Sequence, residues 1–221
     1  MAPEYMEPDC HDYFLVDGQH IGRYEDMYRN CADPWRIEEM GPRLDMLAAL
    51  LLLEGRLDRV RRFLDIGAGL GLFSRLLAQA VWRVNPEARG LVTDIAPSAV
   101  SRASLRLADT RLAFQAFDAR SPDPSWPAQS FDLVVMAQVL WGLLENLGGA
   151  LAGLARLLPP GGLFLVSQHF PGPGRQSYGA DLVAAPEDLA ARLDLAGLEI
   201  LDTLETNRAV NHHWAALARK R

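Results

Sequence analysis

Phe63-Leu64-Asp65-Ile66-Gly67-Ala68-Gly69-Leu70-Gly71-Leu72-Phe73-Ser74 is the stretch on which the fold of this 221-residue chain turns. Phe63, Leu64 and Ile66 form a short apolar run that reads as a buried strand, carrying an acid, Asp65, near its end. Glycines at 67, 69 and 71 follow. Leu72, Phe73, Leu76, Leu77 and Ala80 then recur at helical spacing. Strand, glycine turn and helix in this order bring a nucleoside ligand against bare backbone at a helix N-terminus.

The spacing narrows the ligand. A dinucleotide site wants Gly-x-Gly-x-x-Gly, whereas the run here is Asp-x-Gly-x-Gly-x-Gly. An acid beside the first glycine repels a pyrophosphate and suits a cationic amino group. Further along, Gly90 to Val100 reads as a second strand ending on Asp94, with Pro97 and Ser98 opening a helix. An acid roughly twenty residues past the glycine turn is placed to accept from ribose hydroxyls. Leu112 to Phe117 reads as a third strand followed by Asp118. Ser130 to Met136 reads as a fourth, and Leu157-Leu158-Pro159-Pro160-Gly161-Gly162 turns into a fifth ending near Val166.

This set, over about residues 60 to 170, resembles class I S-adenosylmethionine-dependent methyltransferases. The resemblance implies an α/β, Rossmann-like fold: a mostly parallel seven-stranded sheet with helices on both faces and a helical N-terminal cap. It implies a donor site made by Asp65, Gly67, Ala68, Gly69, Asp94, Ile95, Asp118, Ala119 and Gln138, with Asp118 accepting from the adenine amino group. S-adenosyl-L-methionine would be the cofactor and S-adenosyl-L-homocysteine the product. In the N-terminal part, Gly22-Arg23-Tyr24-Glu25-Asp26-Met27-Tyr28 and Asp33-Pro34-Trp35 resemble bacterial nodulation-type N-methyltransferases and related sugar and natural-product enzymes. That likeness assigns Arg23 to the donor's carboxylate and Tyr28 to the donor pocket. Tyr24, Trp35 and Trp141 are assigned to the substrate. The alternative is an amphipathic helix whose aromatics are core.

Reacting groups in an open α/β sheet lie beyond the carboxyl ends of the strands. His169, after the fifth strand, is the candidate general base because histidine titrates near neutrality; His11 and His20 are the reserve candidates. His212 and His213 are adjacent on a predicted strand and point to opposite faces, which reads as an edge strand. The Met136-Ala137-Gln138-Val139 segment lacks the Asp/Asn-Pro-Pro-aromatic motif of enzymes that modify base amino groups in DNA, and Leu140-Trp141-Gly142 is a partial match to small-molecule enzymes. The expected acceptor is therefore the oxygen or nitrogen of a sugar or other small metabolite. Two rivals stand: an aminopropyltransferase on the same fold, and a catalytically silent partner subunit.

Composition agrees. Hydrophobic residues make up 49%, as in globular proteins. The formal net charge of −6 disfavours nucleic-acid contact. The longest apolar run, Met46 to Leu53, is short of the ~18 residues of a membrane span, so no membrane contact is expected. No secretory leader is visible. Cys10 and Cys31 lack metal-ligand spacing and read as thiols of a cytoplasmic protein, with no metal expected. The oligomeric state is left open, a homodimer included. Residues 1–56 read as a helical cap or lid and 57–221 as the donor-binding core. Within the cap, Pro42 is expected to open a helix with Leu44, Leu47 and Leu51 inward.

Overall fold

In a computed structural model, which describes residues 10–36, 41–121, 126–171, 178–208 and 211–221, an N-terminal cap precedes one seven-stranded sheet. The cap is not wholly helical. Strands β1 (Leu15–Val16) and β2 (Gln19–His20) pair as a small antiparallel hairpin across Asp17-Gly18, both at positive φ (48° and 75°). An Asp-Gly pair with two left-handed residues makes the turn whose twist suits paired strands. Here it outranks the helical spacing around it.

Helix α1 (Tyr24–Asn30) has only seven residues, too few to stand alone in water. Its neighbours hold it. Glu25 accepts from the backbone N–H and hydroxyl of Ser98 (2.9 and 2.7 Å), and Arg102 donates to the carbonyls of Tyr28 (3.0 Å), Cys31 (2.9 Å) and Ala32. The hairpin also returns Cys10 to the C-terminal end of α1, where it forms a disulfide with Cys31 (Cα–Cα 6.3 Å). This corrects the expectation of reduced thiols.

Helix α2 (Leu44–Leu52) turns the other way from its expected orientation. Leu44, Leu47 and Leu51 are 62%, 50% and 58% exposed, while Met46, Ala49, Leu52 and Leu53 pack with Phe63, Leu133, Leu165 and Leu217. An unbroken apolar run offers more than one helical stripe, so periodicity alone cannot choose the buried one.

The sheet holds β3 (Arg62–Ile66), β4 (Arg89–Asp94), β5 (Leu112–Ala116), β6 (Leu133–Ala137), β7 (Leu163–Phe170), β8 (Leu198–Arg208) and β9 (Asn211–Lys220), in the order β5-β4-β3-β6-β7-β9-β8. Neighbours from β5 to β7 are parallel, and β9 is antiparallel to both β7 and β8. The connecting helices are α3 (Leu72–Val84), α4 (Pro97–Leu107), α5 (Leu147–Arg156) and α6 (Pro186–Leu195). Side chains alternate along the strands: Phe63 packs with α2 and α3, and Leu64 and Ile66 with α5 and α6. This is the Rossmann-like architecture expected, with both sheet faces covered. β7 runs to Phe170 because β9 goes on pairing with it after β6 stops at Ala137. The stretch Phe170 to Tyr178, whose prolines and glycines argue for a loop, includes residues 172–177, which lie outside the described residues.

Candidate functional site

Strand order reverses between β3 and β6, and a crevice at such a point is where an open α/β sheet takes its ligand. A cavity of about 390 Å³ lies there, at the carboxyl ends of the strands, with Phe14, Tyr24, Tyr28 and Trp35 of the cap in its wall.

The glycine turn forms one side. Gly67, Gly69 and Gly71 have φ of 66°, 56° and 83°, which L-residues rarely adopt. A Cβ on Gly67 would come within 2.5 Å of Val139 Cγ2, and one on Gly69 within 2.7 Å of the Tyr28 hydroxyl. Backbone bonds lock the turn: Ala68 N–H donates to the Thr93 carbonyl (2.8 Å) and Gly69 N–H to Asp94 Oδ2 (2.9 Å). Asp94 Oδ1 accepts from Ala96 N–H at 2.9 Å. Asp94 is nearly buried, which raises its pKa against the backbone N–H groups that lower it, and it lines the cavity.

Asp65 is 1% exposed and lines the cavity. Ser74 Oγ donates to it at 2.6 Å, and no cation among the described residues pairs with it. Burial pushes its carboxyl up to about 7. Asp118 differs: the Arg120 side chain grips both its oxygens (2.9 and 2.7 Å) and holds it below the usual carboxylate range. The expected free acceptor for an adenine amino group is thus half-occupied. Ile95 and Ala119 line the cavity.

The other side is built from side chains. Gln138 sits in the left-handed region (φ 60°), its Oε1 accepting from His169 N–H (3.0 Å) and its Nε2 donating to Asp45 Oδ2 (3.3 Å). Both ends of the amide are engaged within the protein. Gln138 lines the cavity and braces it, tying β7 to Asp45. Asp45 in turn holds the guanidinium of Arg43 (2.7 and 3.1 Å). His169 lines the cavity. Ser167 lines it too, with its Oγ 3.0 Å from Nε2 of His213. His213 is buried, because β9 lies between β7 and β8 and is not the edge. The edge-strand reading of this histidine is corrected.

Arg23 is also corrected. Its side chain is 60% exposed, it pairs with Asp26 at 2.7 Å, and it stands away from the cavity wall. Arg43 lines the wall instead and was missed, since nothing local in Gly41-Pro42-Arg43 marks a site. Tyr24, Tyr28, Trp35 and Trp141 all line the cavity; Trp35 Nε1 donates to the Tyr28 hydroxyl (2.9 Å), and burial raises both tyrosines. His11 lines the cavity edge-on to the Trp35 ring. His20 lies outside the cavity wall, hydrogen-bonded to the Tyr24 hydroxyl (3.0 Å) and stacked on Tyr178, with burial lowering its pKa.

Among the described residues no cluster of metal ligands occurs, and no helix is long and apolar enough to cross a membrane. Residues 64–164 match the methyltransferase domain family. Nodulation protein S of Rhizobium tropici is 28% identical over 132 residues, which is 59% of this chain and 52% of that protein. Its counterpart in Bradyrhizobium diazoefficiens is 26% identical over 131 residues, 58% of each. The chain thus spans little more than half the length of the curated relatives it matches. The fold is shared with the crystal structure of N-methyltransferase NodS from Bradyrhizobium japonicum WM9 in complex with S-adenosyl-L-homocysteine (TM-score 0.66, 22% identity, 90% of this chain and 97% of that one). It is also shared with the [4+2]-cyclase SpnF (TM-score 0.65, 20% identity, 80% of each).

Proposed function

We propose that the chain is a class I S-adenosylmethionine-dependent methyltransferase that moves a methyl group onto an oxygen or nitrogen of a small molecule, a reading supported by the match of residues 64–164 to the methyltransferase domain family. A single observation carries the reading: the glycine turn and the acids Asp65, Asp94 and Asp118, at the ends of successive strands, converge on one cavity at the topological switch point. The residues fit the donor. Asp65 is a buried carboxyl without a cation, suited to an ammonium group. The glycine turn leaves space where any Cβ would collide.

In this reading Gly67, Ala68 and Gly69 present backbone, Asp94 and Ile95 take the ribose, and Asp118 and Ala119 take the base. Arg43 replaces Arg23 as partner of the donor's carboxylate. When bound, the donor supplies a sulfonium methyl open to in-line attack. The protein's contribution is positioning: Tyr28 and Trp35 wall the donor, and Tyr24 and Trp141 the acceptor. His169 takes the proton where the acceptor is a hydroxyl. The likeness to an N-methyltransferase favours an amine. The aminopropyl alternative calls for paired free carboxylates beside the acceptor, but Asp45 of the cavity wall shares its charge with Arg43, which still has N–H groups to offer the donor. Residues 1–56 act as the cap that closes over both ligands.

Isothermal titration with S-adenosyl-L-homocysteine tests the donor site, and micromolar binding is the expected result. Absence of binding by the folded protein would make this a silent member of the fold. A labelled-methyl screen across amino sugars, other amines and phenols then identifies the acceptor atom.

A further inference from the structure

We infer that Ser167 contacts the methyl acceptor directly, and that His213 sets from behind which way the Ser167 hydroxyl hydrogen points. The inference deepens the functional reading above and rests on this cavity being the methyl-transfer site. Ser167 and His169 are two residues apart on β7 and so share one face of the strand, and both line the cavity. On that face His213 is the register partner of His169 across the β7–β9 pair. The ring of His213 is absent from the cavity wall, buried, and within 3.0 Å of Ser167 Oγ. A substrate can meet the serine but not the histidine.

A hydroxyl has one hydrogen and two acceptor lone pairs. While Nε2 of His213 carries no proton, the Ser167 hydrogen is drawn toward it and the lone pairs are left for the cavity. Ser167 then accepts from an N–H or O–H of the incoming molecule. Once His213 is protonated, Nε2–H donates to Oγ, and the serine hydrogen turns into the cavity. There it competes for the lone pair that must attack the methyl group. No proton passes through His213 during transfer; it fixes the direction of one hydrogen. The class of acceptor selected is a nucleophile that still bears a hydrogen: a primary or secondary amine, or a hydroxyl. A nucleophile with no hydrogen to give loses the contact.

The surroundings keep His213 in the required state. Asp45 and Arg43 face it from α2, His169 from β7 and His212 from its own strand; on β8 the uncharged Thr206 is opposite, next to Glu205. Burial is the main influence and lowers its pKa, Asp45 opposes, and Arg43 and the neighbouring imidazoles act with burial. His213 is therefore neutral near pH 7 and becomes protonated only in acid.

Long-range ¹H–¹⁵N correlation on histidine-labelled protein with S-adenosyl-L-homocysteine reads the tautomer and needs no acceptor. His213, identified by the signal lost in His213→Gln, is expected as the Nδ1–H form at pH 7.5; an Nε2–H form overturns the inference. With an acceptor found among amino sugars, other amines and phenols, Ser167→Ala should raise its KM about tenfold. Donor Kd should stay within twofold. At saturating donor, wild-type acceptor kcat/KM should fall on acidification toward pH 5.5, and Ser167→Ala should lose the part of that fall due to His213. An unchanged KM, or an identical acid limb in the variant, overturns the inference even though methyl transfer proceeds. Failure of the wild type to bind donor counts against the functional reading instead. Should His213→Gln not fold, Ser167→Ala carries the kinetic test alone.

Discussion

The two halves of the cavity are made differently. The β3–β5 half is backbone: three glycines at positive φ, an Ala68–Thr93 bond across strands, and acids at strand ends that brace the turn they serve. The β6–β9 half is side chain. Arg43 and Asp45 arrive from α2, Gln138 from beyond β6, Ser167 and His169 from β7, and His213 stands behind from β9. The first half works through local chain geometry and tolerates little change. The second works through long-range convergence, and each of its members can be exchanged without disturbing the turn.

That contrast breaks if changes at Asp94 and at His169 have the same signature. The largest effect is expected at His169: with a hydroxyl acceptor, His169→Ala should cut kcat by at least ~10²-fold while donor Kd, measured by titration, stays nearly intact. Loss of donor binding instead would erase the division. Asp94→Ala should do the reverse. It removes charge-assisted hydrogen bonds worth roughly 1.5–3 kcal/mol each, so donor affinity should fall more than tenfold with circular dichroism unchanged. Unaltered affinity in a folded variant would remove the ribose assignment.

Arg43→Ala should weaken donor binding about tenfold and Arg23→Ala hardly at all, since Arg23 is exposed and paired with Asp26. Equal effects in a parallel titration would restore Arg23. Proton linkage at Asp65 gives a further, smaller signature. Its carboxyl is raised to about 7, so donor affinity should weaken progressively as pH falls through that value and the carboxylate is lost. Stability of the ligand-free protein runs the opposite way. Between ~4, where an unfolded Asp ionises, and about 7, the folded state holds the extra proton, so raising pH through this window destabilises it. Donor titrations at pH 5.5 and 8, and thermal melts at the same two pH values taken as the difference from Asp65→Asn, should move in opposite directions, and parallel movement would contradict the assignment. The smallest effect belongs to Leu47→Gln. At 50% exposure it should change stability by no more than about 0.5 kcal/mol by urea melt; a cost of several times that would mean α2 buries its other stripe.

The same contrast explains what could be read from the residues alone. Phe63 to Ser74, the acids at the ends of successive strands and the Pro-Pro-Gly-Gly turn are contiguous, so their spacing carries the fold and the donor half with it. Arg43, Asp45 and Ser167 have no such neighbourhood; Asp45 meets Gln138 across 93 positions. Arg23 stood in a stretch with a family likeness but outside the cavity, because α1 presents Tyr24 and Tyr28 to the cavity and not its preceding residue. His213 was misjudged for a topological reason: adjacent strands in a hairpin do not say which one is outermost. The Cys10–Cys31 bridge depended on the Asp17-Gly18 reversal that brings the two together.

Arg102 has a bearing on protein engineering. Helix α1 ends on carbonyls that its own sequence does not cap, and a guanidinium from α4 satisfies them. Glu25 returns the attachment at Ser98, one residue past the proline that opens α4. The fastening is thus a matched joint, with half its parts on each piece. A chimera that exchanges the first 36 or so residues with those of another family member must carry across Glu25, or else rebuild positions 98 and 102 to suit the newcomer. Grafts chosen by overall similarity, but mismatched at these three positions, should yield folded cores whose imported caps hang loose.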